Sequence, residues 1–312
     1  MTNKVVIWGL PPNTHTHSYI HLGFAKAFSY LDYDVTWYDD SEEYVGEDLK
    51  DSIIITANIC CNYLKMEDSS KYFVHNLADG FSRETVMDNI YNLLVYHENY
   101  DWHDGVEKVD DFSWYDSKSK TSVIMWGTDL LPEEIDEQEV CLYDESKKEV
   151  NYVGSLSKDY YDTFSNVVSQ NEKVFNNYGG YTGIRSKNTD TGFSDDNEYI
   201  DLMKSSYLNF DLRPQIHLNN GYVPCRIFKS LSYGSWIGTN SEKILNFFDG
   251  RITASSDLNE LYLKTEEDSK NASIETLIDN RNYIKKHHTY IALNAIMHLV
   301  YLRQPLLLPY ME

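Results

Sequence analysis

The feature that most limits the fold is a repeated alternation of short β-branched runs with amphipathic helical patterns. Residues 4–10, KVVIWGL, form an apolar run, as a parallel strand covered on both faces must. After PPNTHTH, the residues Ile20, Phe24, Ala27, Phe28 and Leu31 recur at the spacing of one helix face, with Ser18 as the expected N-cap. DVTWYDD (34–40), SIIITANI (52–59) and KYFVHNL (71–77) read as the next strands. Strand, helix, strand in this rhythm gives a right-handed α/β layer.

The stretch 82–150 is less regular. ETVMDNIYNLLVYHENY predicts a helix, and SVIMWGTDLLPEEI predicts strand, turn and helix start. The charged segment DESKKEV (144–150) is the expected junction between two domains, 1–148 and 149–312. A second α/β pattern follows. NYVGSL is a strand ending at Gly154-Ser155, KDYYDTFSNVVSQNEKVFNNYGG a helix, YTGIRS a strand, DNEYIDLMKSS a helix and SYLNFDL a strand. In GYVPCRIFKSLSYGSWIGTN, Pro224 takes the first helical position, Gly234 ends the helix and SWIGT is the next strand. LNELYLKTEED predicts a short helix, and residues 273–302 a long terminal one. The expected architecture is two Rossmann-like domains facing a cleft, with a long C-terminal helix.

Composition sharpens this. Hydrophobic residues make up 42% of the 312, ample for two cores. A formal net charge of −22 repels nucleic acid and anionic membrane surfaces, so any local cluster of Arg and Lys is informative. The four cysteines lack CxxC spacing and are expected to be reduced thiols. MTNKVVIWGL leads into a strand instead of a signal-peptide core, and no run approaches the ~18 apolar residues of a membrane span, so a soluble cytoplasmic protein is expected.

Arg226 stands in the first turn of its helix, where a positive side chain is unfavourable unless something negative is near. A helix N-terminus already attracts phosphate through unpaired N–H groups, and Gly221 lets the backbone approach a ligand closely. A guanidinium there can grip two phosphate oxygens. The competing reading is a surface arginine paired with a carboxylate.

Residues 205–240, SSYLNFDLRPQIHLNNGYVPCRIFKSLSYGSWIGTN, resemble the C-terminal signature of glycosyltransferases with the GT-B architecture, and so do NYVGSL and SEKILNFFDGRITASSDLNEL. The resemblance covers residues 151–265 and reaches the N-terminal half only through fold rhythm. It implies a nucleotide-sugar donor held by the C-terminal lobe and an acceptor against the N-terminal one. Arg226 would contact the donor diphosphate, with Gly221, Tyr222, Val223 and Pro224 shaping the loop beside it and Ile227 following in the same helix. Gly154 and Ser155 would line the opposite wall. Many members carry a glutamate three residues after this arginine, where this chain has Lys229, which either adds charge against the phosphates or marks a different donor register. Arg185 and Lys187 in GIRSKN either touch the donor or belong to a solvated loop.

PPNTHTHSYIH places His15, His17 and His21 around the first strand-to-helix connection. His17 is the candidate general base on an acceptor hydroxyl, against the alternative of a flexible polar loop. Two imidazoles and a carboxylate can bind zinc, but H-x-H-x3-H matches no strong metal signature. His287 and His288 are expected on a solvated face. GLPPNTHTH lacks the G-x-G-x-x-G of a nicotinamide site, and no P-loop, G-x-S-x-G or HExxH occurs. The reading is a glycosyltransferase moving a sugar from a nucleotide diphosphate donor to a hydroxyl of a glycan or other acceptor, without bound metal or cofactor. The alternative is a catalytically silent carbohydrate- or nucleotide-binding protein.

Overall fold

A computed structural model describes residues 4–12, 16–77, 88–178 and 196–291. The described residues pack as two compact units. Those within 1–96, 101–131 and 287–312 form the first, and those within 97–100 and 132–286 the second. The charged segment 144–150 thus lies inside the second unit.

The first unit is built on β1 (Lys4–Gly9), α1 (Thr16–Tyr30), β2 (Asp34–Asp39), β3 (Ile53–Ala57), β4 (Lys71–His75), β5 (Ile90–Val95), β6 (Val106–Asp110), β7 (Ser113–Asp116) and β8 (Thr121–Ile124). Its eight strands run in the order β2-β1-β3-β4-β5-β8-β7-β6. All pairs are parallel except β8–β7 and β7–β6. β1 pairs on both sides, with Val6 opposite Thr36 and Ile54, which is why KVVIWG has no polar face. Val6, Trp8, Ile54, Tyr72 and Val74 form one side of the core. Each such buried side chain contributes about 1.5–3 kcal/mol relative to exposure.

The second unit contains α2 (Pro132–Asp136), β9 (Glu149–Val153), α3 (Lys158–Gln170), β10 (Val174–Tyr178), α4 (Asp196–Ser205), β11 (Asn209–Asp211), α5 (Gln215–Asn220), α6 (Cys225–Ser232), β12 (Ile237–Thr239), β13 (Thr253–Ala254), α7 (Leu258–Asn271) and α8 (Ile274–His287). β10-β9 and β11-β12-β13 are parallel sheets. They meet where Tyr207 N–H donates to Glu149 O (2.7 Å) and Asn151 N–H to Ser206 Oγ (2.9 Å). The resulting order, β10-β9-β11-β12-β13, repeats the β2-β1-β3-β4-β5 order of the first unit. Val150, Tyr152, Phe164, Val168, Phe210 and Leu261 fill its core. Helix starts follow the usual capping chemistry: Ser157 accepts from Tyr160 N–H and Asp257 from Glu260 N–H, each worth about 1 kcal/mol.

The chain is therefore α/β with a large, mainly parallel sheet, as expected, but several elements differ. Residues 90–95 form strand β5, not a helix. IYNLLV is a short apolar run placed between β4 and β8, and such runs read equally well with either period. The helix from Lys158 stops at Gln170, after which Glu172 takes a left-handed φ of 58° and β10 begins. Ser18 is not an N-cap, because α1 already includes Thr16. α8 ends at His287, which interrupts the expected terminal helix: Thr289 bridges to Thr128, and Thr128 N–H donates to His288 O (2.8 Å), while residues 292–302 lie outside the described residues. His288 is accordingly buried, 4.3 Å from the Phe112 ring, and not on a solvated face. Residues 181–186, expected as a strand, lie outside the described residues. The four cysteines are free thiols. Among the described residues, no helix is long and apolar enough to cross a membrane.

Candidate functional site

In an open α/β sheet, ligands bind past the carboxyl ends of the strands where the order reverses. In the second unit that point lies between β9 and β11, and Arg226 occupies it. Its Nε donates to the carbonyl of Val153, the last residue of β9 (2.9 Å). Its Nη1 donates to Tyr152 Oη (2.8 Å) and to Oδ1 of Asp211, the last residue of β11 (2.5 Å). The remaining nitrogen, Nη2, lies against Gly154: a Cβ built there would stand 1.9 Å from it. Gly154 also has φ +137°, a conformation that side chains rarely adopt. Two positions distant in sequence thus form one piece of geometry, in which the glycine makes room for the guanidinium.

Arg226 is not a surface arginine, being 9% exposed. Asp211 is fully buried and also receives Arg213, through Nε to Oδ2 (2.9 Å) and Nη2 to Oδ1 (2.6 Å). Burial pushes the Asp211 carboxyl up, but Arg213 and Arg226 outweigh it and hold it below the usual carboxylate range. Burial opposes the charge on Arg226, while Tyr152 and Asp211 more than restore it. Both guanidiniums stay charged and share one carboxylate, so among the described residues the cluster carries a net positive charge within a strongly acidic protein. A buried charge in excess calls for a counter-ion.

The loop that delivers Arg226 follows from local chemistry. α5 ends on Gly221, left-handed at φ 60°, and Lys243, Glu98 and Asn219 brace the turn through bonds of 2.7 and 3.0 Å. A side chain at 221 would meet Glu98 at 2.7 Å. Pro224 then sits at the N-cap of α6, one residue before the first helical position expected of it, and its side chain gives the first N–H groups of α6 no cap. Tyr222 stacks on His217 (4.8 Å) with Arg213 5.7 Å from its ring. Val223 and Ile227 are fully buried, so their side chains are not open to a ligand. Ser155 is exposed beside Gly154. Lys229 is buried, its ammonium 4.5 Å over the Tyr199 ring. Arg185, Lys187 and His15 lie outside the described residues.

His17 belongs to the first unit and sits in the first turn of α1, not in the loop before it. There the strand order reverses between β1 and β3, and His21 lies against Gly9, with Nδ1 2.6 Å from a Cβ built on that glycine. His75, at the end of β4, stands 4.9 Å from His21, 5.9 Å from His17 and 4.9 Å from Trp126, ring to ring. Burial, and then its imidazole neighbours, push His75 well below the usual histidine range. Among the described residues, no group of three or more His, Cys, Asp or Glu is arranged to hold a metal ion.

No family model matches the chain, and no curated protein matches it. Among solved structures it is similar to a trehalose-6-phosphate synthase, OtsA, at 10% identity over 97% of this chain and 99% of the other, with a TM-score of 0.48. It is also similar to a glycosyltransferase from Rickettsia africae ESF-5, at 11% identity over 96% and 99%, with a TM-score of 0.45. Sequence reasoning missed Asp211, Arg213 and Tyr152. The available signal was FDLRP: an acid ending a strand with an arginine two residues on.

Proposed function

We propose that this chain is a glycosyltransferase that holds a nucleotide-diphosphate sugar in its second unit and passes the sugar to a hydroxyl of a glycan or other acceptor, with no bound cofactor. One observation carries this reading: a net-positive guanidinium pair at the strand-order reversal, beside an uncapped helix N-terminus. A diphosphate supplies the missing negative charge, and the same groups stabilise it as it leaves. Gly154, Ser155 and the 221–224 loop border the phosphates, and His17 is the candidate base. Because Arg226 and α6 neutralise the leaving group, activity is expected to survive a chelator.

The test is a thermal-shift titration with UDP, GDP, CDP and dTDP, each with magnesium or with chelator. A ligand that binds only the folded state raises Tm. One nucleotide should do so in both conditions, and Arg226→Ala should weaken it by roughly 1.5–3 kcal/mol. Unchanged affinity in an Arg226→Ala protein that still melts cooperatively rejects the assignment. Lys229, buried over Tyr199 where related signatures have glutamate, favours a second reading, a silent nucleotide- or carbohydrate-binding protein. Slow hydrolysis of the donor to free sugar distinguishes the enzyme from that alternative.

A further inference from the structure

Toward the antiparallel edge of the first unit, three aromatic rings pack on one another. Tyr96 follows β5, Trp102 lies in the next loop and Trp114 is on β7; their centroids are 5.0 Å (Tyr96–Trp114), 5.3 Å (Trp102–Trp114) and 5.9 Å (Tyr96–Trp102) apart. Trp114 and Tyr96 are half-buried, whereas Trp102 is 39% exposed and is the exposed tryptophan among the described residues. Its loop is held in place. Gly105 N–H donates to His103 Nδ1 (2.9 Å), which leaves the proton on Nε2 facing Asp116 Oδ2 (3.2 Å), and Val106 N–H donates to His103 O (2.9 Å). A rigid aromatic surface backed by two further rings is a pre-organised contact, because little side-chain freedom remains to be lost on binding.

The surroundings narrow what fits it. Asp101 and Asp104, both exposed, flank Trp102 in the chain. Exposed carboxylates in the same short loop repel phosphates and other anions, yet accept hydrogen bonds from hydroxyls. A nucleobase stacks on any aromatic, but brings its phosphate with it. A neutral pyranose ring has an apolar C–H face for the indole and a rim of hydroxyls for the acids.

We propose that Trp102 is the stacking platform of a carbohydrate-docking surface for neutral glycans. Assigning the bound glycan to the acceptor rests on the glycosyltransferase reading; the binding itself does not. The experiment follows the Trp102 indole N–H resonance of the full chain while maltohexaose, cellohexaose, chitohexaose, hexagalacturonate or UDP is added. At least one neutral hexasaccharide should shift that resonance. By melting-temperature titration, that sugar should bind Trp102→Ala about tenfold more weakly, bind Trp102→Phe with intermediate affinity, and bind Arg226→Ala as it binds wild type. Whichever nucleotide raises Tm in the wild type should bind Trp102→Ala equally well. Failure of every neutral sugar to bind, equal binding by Trp102→Ala, or equally tight hexagalacturonate binding overturns the proposal. So does a Trp102-dependent change in oligomeric state without sugar binding, which makes the patch a protein contact. If sugars bind at Trp102 and no nucleotide binds anywhere, the donor-site reading falls alone.

Discussion

The two units reverse their strand order at equivalent places, between β1 and β3 and between β9 and β11, and fill the crevice with different chemistry. In each, a side chain from a later helix lies against the glycine that follows the strand's apolar run: His21 against Gly9, and Arg226 against Gly154. In the first, His75 is buried and held well below the usual histidine range, with His21, His17 and Trp126 around its ring. In the second, among the described residues, two guanidiniums share a single carboxylate and leave a positive charge in excess. The topology supplies a crevice twice, and the residue leaning on the glycine decides whether that crevice attracts an anion.

Asp211→Asn tests that excess most severely. It strips both guanidiniums of their shared countercharge at a fully buried position, and breaking a buried pair this way costs about 3–5 kcal/mol. The denaturant midpoint should fall accordingly, with part of the loss recovered at saturating nucleotide. A midpoint unchanged from wild type would mean that the Arg213–Asp211–Arg226 cluster is not held as described.

Gly154→Ala and Gly9→Ala compare the two crevices directly. At 154 the new methyl group overlaps Arg226 Nη2 and the φ of +137° disfavours any side chain, so both stability and nucleotide affinity should drop, stability by roughly 2–4 kcal/mol. At 9 the backbone is ordinary and the overlap is with an imidazole at 2.6 Å, so about 1–3 kcal/mol of overpacking is expected, with nucleotide affinity unchanged. Paired unfolding and titration curves check both, and equal effects on affinity would erase the distinction.

These contrasts explain what the sequence disclosed. Strands β1, β3 and β4 were readable because a parallel strand buried on both faces carries a run of consecutive apolar residues, VVIW, III and YFV here. The turn and helix start at 221–225 were readable because Gly221 supplies the left-handed end of α5 and Pro224 precedes α6, whereas the partners of Arg226 are distant in sequence. Asp211 and Arg213 were not readable, because their meaning depends on β9 lying beside β11, a pairing that no local pattern encodes. His75 was hidden for the same reason: KYFVHNL looks like any strand until α1 packs across its end. Strand β5 was misread because six residues are too few to separate the two periods.

The smallest effect concerns acid. His75 is pushed well below the histidine range and His288 to about 3, both chiefly by burial and both in the first unit. For each, the unfolded chain takes up a proton near pH 6.5 that the folded chain refuses. Stability is therefore complete above about pH 6.5 and declines as pH falls below it, by about 1.4 kcal/mol per unit for each histidine until the folded group also protonates. In the second unit His217 is lowered in the same sense, by burial first, but it is only half-buried. Asp211 acts in a different window: its depressed carboxyl keeps its contribution down to about pH 4 and loses it only as pH falls further. Hydrogen exchange measured at pH 7.0 and 5.5 should show protection falling more in β1, β3 and β4 than in β9, β11 and β12. His75→Phe should flatten that pH dependence in the first unit by roughly one histidine's share. Equal loss in both units would mean that the imidazole-filled crevice is no more acid-sensitive than the guanidinium one, and the contrast between them would then be confined to ligand binding.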